Sequence, residues 1–186
     1  GPPGIGGLYV ASGINLSTLA EGGTGKDSGL HEMSGRFPSN FEVGTHNLLG
    51  ICGLTAGVRW INQVTLDAIR QREHRLTELF VAGLQGVPGL RIYGNPDLTK
   101  RTAVVSLTCS GHCTPHQLAD WLATEHGVVT RSGYHCAPLA HETIGTLPGE
   151  GTIRFSMGYH NSEEEIRLVA ALVADYVAKP LAIVTS

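Results

Sequence analysis

Between Ser12 and Val43 the chain shows no hydrophobic period, and polar residues alternate with glycine; on either side of that stretch the pattern is regular. Before it, Gly6-Gly7-Leu8-Tyr9-Val10-Ala11 is a short apolar run bounded by glycine and proline, which predicts a buried strand. A loop as long as the one that follows is, in a compact domain, usually functional. After it, Leu48, Ile51, Leu54, Ala56, Val58 and Ile61 recur at helical spacing, with Gly50, Gly53 and Gly57 among them. A helix over residues 47–61 that tolerates these glycines must pack closely on something, since glycine otherwise weakens a helix. A second helix, Leu66–Leu84, carries Leu66, Ile69, Leu76, Leu79 and Phe80 on one face and Asp67, Arg70, Arg72, Glu73, Arg75 and Glu78 on the other. Gly86, Pro88 and Gly89 end it.

From Leu90 onward strands and helices alternate. Residues 90–93, 102–109, 128–130 and 152–157 read as strands. Thr114-Pro115-His116-Gln117 is a capping box with proline at the first helical position, opening a helix to His126. Ser162-Glu163-Glu164-Glu165 is a second box, its acids at the positive end of a helix that runs to Ala178 and stops before Pro180. Residues 131–150 read as an irregular loop. The pattern predicts an α+β domain: a small antiparallel sheet with helices on one face.

Composition narrows the function classes. With 41% hydrophobic residues in 186, the chain buries an ordinary core. The net charge of −3 comes from interspersed acids and bases, with no basic face, which argues against nucleic acid. Apolar runs are only strand-length, so no membrane span is expected, and no secretory leader pattern is visible. Four cysteines (Cys52, Cys109, Cys113 and Cys136) are too sparse for a disulfide scaffold, so reduced thiols in a cytoplasmic protein are expected. Fourteen of the 25 glycines lie in the first 60 residues, and the chain opens without methionine on a glycine-rich approach. Both features lead us to expect two regions with different tasks, in a chain that is part of a longer one.

Four places carry candidate chemistry. In Arg131-Ser132-Gly133-Tyr134-His135-Cys136-Ala137-Pro138 a cysteine lies between two strands, with His135 beside it and Arg131 five residues upstream. A thiol attacks as thiolate, which needs a nearby cation or donor and some exposure. The same residues also fit a half-buried loop cysteine with an incidental histidine. In Glu21-Gly22-Gly23-Thr24-Gly25, glycines let backbone N–H groups approach an anion and Thr24 adds a donor, although an ordinary tight turn has the same composition. Arg154, mid-strand, shares a face with Thr152 and Ser156, opposite Ile153 and Phe155. It suits a bidentate carboxylate clamp or a surface salt bridge equally well. Cys109, His112, Cys113 and His116 invite zinc, but capping already accounts for Thr114, Pro115 and Gln117, and the spacing matches no strong metal signature. No metal is expected there.

In family order, GPPGIGGLYV, EGGTG, FEVGTHN, RSGYHCAPLAH, GTIRFSMGYHN and the closing SEEE helix resemble the class V aminotransferase family, spanning Gly1 to about Tyr176. Within it they are most similar to cysteine desulfurases and selenocysteine lyases, and HCAPLAH points to the SufS-like branch. The resemblance implies the C-terminal part of an α/β pyridoxal-phosphate (PLP) transferase fold, fold type I. Residues 1–63 would be the last portion of the large parallel-sheet domain, and residues 64–186 a linking helix and the small α+β domain. It implies abstraction of sulfur from L-cysteine, giving alanine and a persulfide on Cys136 that passes to an acceptor protein. Arg154, with Arg131 close by, would hold the substrate carboxylate, and His135 would sit beside the nucleophile. Gly23 and Thr24 would reach the cofactor phosphate of the opposite subunit in a homodimer.

One departure accompanies these matches. In the family the Schiff-base lysine lies just upstream of the GPPGIGGLYV-type strand, and here only Lys26, Lys100 and Lys179 are present. The chain by itself is therefore expected to be inactive, and the strand over residues 8–11 to have an unpaired edge. Related readings are a selenocysteine lyase, a cystine lyase, and an epimerase-like or aminotransferase-like enzyme. A non-catalytic binding module that kept the fold is the reading from a different class.

Overall fold

A computed structural model describes residues 2–178 apart from residues 24, 26–28, 30, 32–34, 36 and 112. The chain forms two compact units, Gly1–Thr65 and Leu66–Ser186.

The first unit is organised by helix α1, Leu48–Val64. Asn47 caps it, its side-chain oxygen accepting from Gly50 N at 3.0 Å while its Nδ2 donates to Gly4 O at 3.1 Å. One side chain thus ties the N-terminal segment to the helix start. Close packing explains two of the three helix glycines, Gly50 and Gly53, whereas a Cβ at Gly57 would meet nothing within 4 Å. A Cβ on Gly50 would come within 2.9 Å of the Cβ of Ile5, and one on Gly53 would collide with the Pro2 ring. The strand predicted over residues 6–11 is not formed, and Leu8 and Tyr9 are 72% and 88% exposed. An extended run becomes a strand only when a neighbour takes its N–H and C=O groups, and the described residues of this unit include no other strand.

The second unit is the predicted α+β domain. Helix α2 (Leu66–Leu84) leads into strand β1 (Leu90–Tyr93), strand β2 (Val104–Cys109) and helix α3 (Pro115–His126). Strand β3 (Arg131–Gly133), the short helix α4 (Pro138–Thr143), strand β4 (Thr152–Ser156) and helix α5 (Glu163–Ala178) follow. The sheet is antiparallel throughout, in the order β1-β2-β4-β3. Val105, Leu107, Ile153 and Phe155 fill its helix side against Leu76, Phe80 and Leu84 of α2, Leu118 and Leu122 of α3, and Ile166 and Val173 of α5. The Phe80 and Phe155 rings meet at 4.8 Å. At Gly83 a Cβ would stand 2.8 Å from that of Ala170, so glycine is what lets α2 and α5 close on each other.

Both capping boxes form. Thr114 Oγ1 accepts from Gln117 N at 3.2 Å and Gln117 Oε1 from Thr114 N at 3.0 Å. Ser162 Oγ accepts from Glu165 N at 3.0 Å and Glu165 Oε2 from Ser162 N at 2.9 Å.

Three further expectations are corrected. The strand read at residues 128–130 lies at Arg131–Gly133, because that is where β4 offers a partner. The supposed loop over residues 131–150 contains β3 and also α4, whose six residues are too few to show a helical period. Finally, Cys109 and Cys113 form a disulfide rather than remaining thiols, and only Cys52 and Cys136 are free. Gly111, at φ +85°, turns the chain back so that the two Cα atoms lie 5.6 Å apart, within bridging range. The bridge uses both sulfurs of the CSGHC stretch; His112 lies outside the described residues.

Truncating Phe80 to alanine should remove both the contact with Phe155 and the layer between α2 and the sheet. We expect a loss of about 3–5 kcal/mol in urea unfolding followed by circular dichroism.

Candidate active site

Strand β3 is three residues long, yet it aligns the cations of this domain. Its register with β4 sets Arg131 opposite Arg154, Ser132 opposite Ile153 and Gly133 opposite Thr152. Residues directly opposite in an antiparallel pair project from the same face, so the two guanidinium groups share the open side of the sheet, away from the helices. Ser106 of β2, opposite Arg154, extends the row. Neither arginine pairs with a carboxylate among the described residues. Arg154 is half-buried, and its Nε is buried without a hydrogen-bond partner. A buried donor left unpaired costs free energy, so this one is a place for an acceptor from outside the chain.

Cys136 joins this row. Its thiol is exposed, and Arg131 Nη2 donates to Sγ at 3.3 Å. Two consecutive non-glycine residues, His135 at φ +51° and Cys136 at φ +60°, adopt the left-handed conformation that turns the sulfur toward Arg131. Each such residue costs about 1–3 kcal/mol, and strain of this kind persists only where the surroundings over-determine it. Here the surroundings are identifiable. Ala137 N donates to Tyr134 O at 2.8 Å to close the turn, and Tyr134 Oη donates to Leu147 O at 3.0 Å. At the base of the lobe Gly133 and Gly151, at φ +102° and +81°, cross so closely that a Cβ on Gly151 would strike the Gly133 carbonyl.

His135 lies on Thr152, its Nε2 and the threonine Oγ1 3.1 Å apart, while its Nδ1 is buried and unpaired. Burial first, then the nearby charges of Arg154, His141 and Arg131, hold its pKa below the ordinary histidine value of 6.5; a hydrogen bond from the ring to the Thr152 backbone opposes them. The ring is therefore neutral at pH 7. The cation that reaches the sulfur is Arg131, and His135 acts as a neutral wall that keeps the turn on the sheet.

The structure thus brings four of the six expected site residues together: Cys136, Arg131, Arg154 and His135. Gly23 belongs to the first unit, where its carbonyl accepts from Gly44 N at 2.9 Å and no atom lies within 4 Å of where its Cβ would stand. Thr24 and Lys26 lie outside the described residues. Lys100 is 69% exposed and ion-paired to Asp97 at 3.4 Å, a solvated setting unsuited to carbonyl chemistry. The sequence reading missed Thr152, Thr146 and His141, all buried around the lobe. Only His141 had a visible signal, as the closing residue of HCAPLAH. What the arrangement offers chemically is two guanidinium groups on one face of the sheet with a free thiol hydrogen-bonded to one of them, a donor set suited to an anion.

Comparison with known proteins identifies the family of the chain. The family model described as aminotransferase class-V matches residues 1–169. A probable cysteine desulfurase of Methanothermobacter thermautotrophicus is 31% identical over 176 residues, covering 91% of this chain and 42% of that protein. Another from Pyrococcus abyssi is 33% identical over 182 residues, covering 95% of this chain and 44% of its own length. The apo structure of a cysteine desulfurase from Thermococcus onnurineus superimposes with a TM-score of 0.68 at 34% identity, over 75% of this chain and 34% of that one. The chain spans less than half the length of these curated relatives.

The depressed pKa of His135 has a consequence with a definite sign. Above pH 6.5 the ring is neutral folded or unfolded, and its contribution to stability is fully present. As pH falls through that value toward the lower folded pKa, the unfolded chain takes up a proton that the folded site resists, and stability is lost. Replacing His135 with glutamine should flatten this acid-side loss, seen as a smaller drop in the urea midpoint between about pH 7.5 and about pH 5.5 than in the parent.

Proposed function

Because this chain belongs to the class-V aminotransferase family and has its α/β fold, that of the PLP-dependent fold-type-I enzymes, we propose that the protein is a PLP-dependent cysteine desulfurase with Cys136 as the sulfur-accepting thiol. One observation carries the reading. A free, exposed thiol accepts a hydrogen bond from an arginine that stands opposite a second, half-buried arginine with an unpaired Nε. An α-amino acid supplies what that arrangement lacks: its carboxylate bridges the guanidinium groups of Arg154 and Arg131, and its side-chain sulfur projects toward Cys136.

The chain's residues then act mainly by position. Arg154 and Arg131 orient L-cysteine by its carboxylate. The Cys136 thiolate attacks the substrate sulfur, forming an S–S bond as the substrate C–S bond breaks. PLP, when bound, supplies the electron sink that takes up the released pair until the carbon is protonated to give alanine. The product on the protein is a Cys136 persulfide, poised on an exposed lobe for transfer to an acceptor protein. Gly23, where a Cβ would meet no atom within 4 Å, is assigned with Thr24 to the phosphate loop, contributed across a homodimer. No lysine among the described residues suits covalent attachment of the cofactor, so we place that residue outside them. No helix of the described residues is long and apolar enough to cross a membrane.

The test uses the full-length protein loaded with PLP. Cys136→Ser should abolish persulfide labelling and lower alanine formation from L-cysteine by about 100-fold or more while leaving the cofactor absorbance intact. Arg154→Gln should raise KM for L-cysteine by about tenfold or more, the loss of one charge-assisted clamp. Sulfide release at the parent rate from the serine variant would refute the assignment.

A further inference from the structure

His141 takes no part in the chemistry proposed above, yet it is the only buried histidine among the described residues, 3% exposed. Its Nδ1 meets Thr146 Oγ1 at 2.7 Å, and Thr146 N donates back to His141 O at 2.8 Å, so the two residues hold each other through side chain and backbone. Thr146 is 4% exposed, and its carbonyl accepts from Gly151 N at 3.0 Å. Gly151 immediately precedes β4, the strand that carries Arg154. On its other side the imidazole ring lies 5.6 Å from the His135 ring and 5.6 Å, edge to face, from the Tyr134 ring. Tyr134 and His135 are the two residues before the thiol.

These contacts close on themselves. From His135 the path runs through Thr152 Oγ1, along the chain to Gly151, through the Thr146 carbonyl and hydroxyl to His141, and back across the ring contact to His135. Cys136 sits just outside this circuit, in a left-handed conformation that its own backbone disfavours. A turn that is locally unfavourable and lies on an exposed lobe stays in place only if something rigid fixes it, and the circuit is the rigid element available. The chemistry of the two buried residues fits that task. An imidazole offers a flat face for two neighbouring rings together with a nitrogen that points back at the hydroxyl. Neither an aliphatic residue nor an amide offers both.

We infer that His141 and Thr146 form the positioning pair of the thiol lobe, holding Tyr134 and His135 so that Cys136 Sγ stays beside the Arg131–Arg154 row. Neither residue touches the reacting atoms. Their effect is on the distance between a nucleophile and two fixed cations, and that distance determines how a carboxylate-bearing reagent meets the sulfur. The inference deepens the desulfurase reading, but its test does not depend on that activity.

Two alkylating reagents read the geometry in the full chain. Iodoacetate and iodoacetamide each place a carbon on the sulfur and expel iodide, and only iodoacetate carries a carboxylate for the arginines to attract. The ratio of their rates at Cys136, resolved by peptide mass spectrometry, measures how well thiol and guanidinium groups are aligned. The exposed Cys52 of the same chain serves as internal reference. We expect the Cys136 ratio to exceed that of Cys52 by about tenfold, a local field effect that salt should weaken. Thr146→Val removes only the hydroxyl from a side chain of the same shape, and His141→Phe keeps the flat ring but loses Nδ1. Both should bring the Cys136 ratio down toward that of Cys52, whereas Thr146→Ser should restore it. A ratio in Thr146→Val that equals the parent's would overturn the inference, and this near-isosteric variant decides the matter if His141→Phe does not fold. The desulfurase reading stands or falls separately, on the Cys136→Ser enzyme.

Discussion

Two positive charges on adjacent strands, facing the same way and paired with no carboxylate among the described residues, constitute the constraint around which this domain is arranged. The β3–β4 register sets Arg131 across from Arg154, and antiparallel geometry allows them no other relation. Like charges directly opposite in a sheet repel, so the arrangement costs stability in the free chain and is relieved by an anion. The strained turn at His135 and Cys136 adds a second cost in the same few ångströms. Both liabilities lie beside one exposed thiol, where an anion that reached the two guanidinium groups would offset the repulsion between them. The rest of the domain consists largely of the means to hold these groups in place.

Those means are ordinary packing. The helix face of the sheet, with Leu107, Ile153 and Phe155 against Phe80, Leu84 and Val173, is a dry core that fixes β2 and β4. The open face is fixed by polar contacts instead: Thr152 is fully buried although it points to that side, because His135 covers it. The two layers share β4, whose alternate residues serve core and site in turn. Displacing Ile153 from the core would therefore move Arg154, and the site inherits the rigidity of the hydrophobic layer beneath it.

How much of this was legible in the residues alone depended on the kind of signal. Periodic and capping patterns located α2, α3 and α5 to within a residue or two, because amphipathic stripes and Ser/Thr boxes are local. The thiol, its two arginines and its neighbouring histidine were legible as motif residues. That they converge was implied by the family resemblance and not by pattern or spacing, because convergence rests on the register of a three-residue strand and on left-handed backbone at two residues that rarely adopt it. The apolar run at Leu8–Ala11 misled for the converse reason: its pattern suits a strand, but pairing depends on a partner that the pattern cannot show. The disulfide escaped notice because reasoning from cysteine number addresses scaffolds, whereas Cys109 and Cys113 are joined by one local reversal at Gly111.

The crossing of Gly133 and Gly151 bears on how such a domain tolerates change in length. Everything between these two glycines is a lobe hung from one pinch point, so insertions or deletions there leave the sheet alignment untouched so long as the pinch is kept. A single residue added within β3 or β4 has the opposite outcome. Side chains alternate with a period of two, so the slip would turn one of the paired arginines into the apolar layer and bring a hydrophobic residue out in its place. Descendants of this chain should therefore vary in the size of the lobe outside the His141–Thr146 circuit and hardly at all in the length of the two strands that bear it.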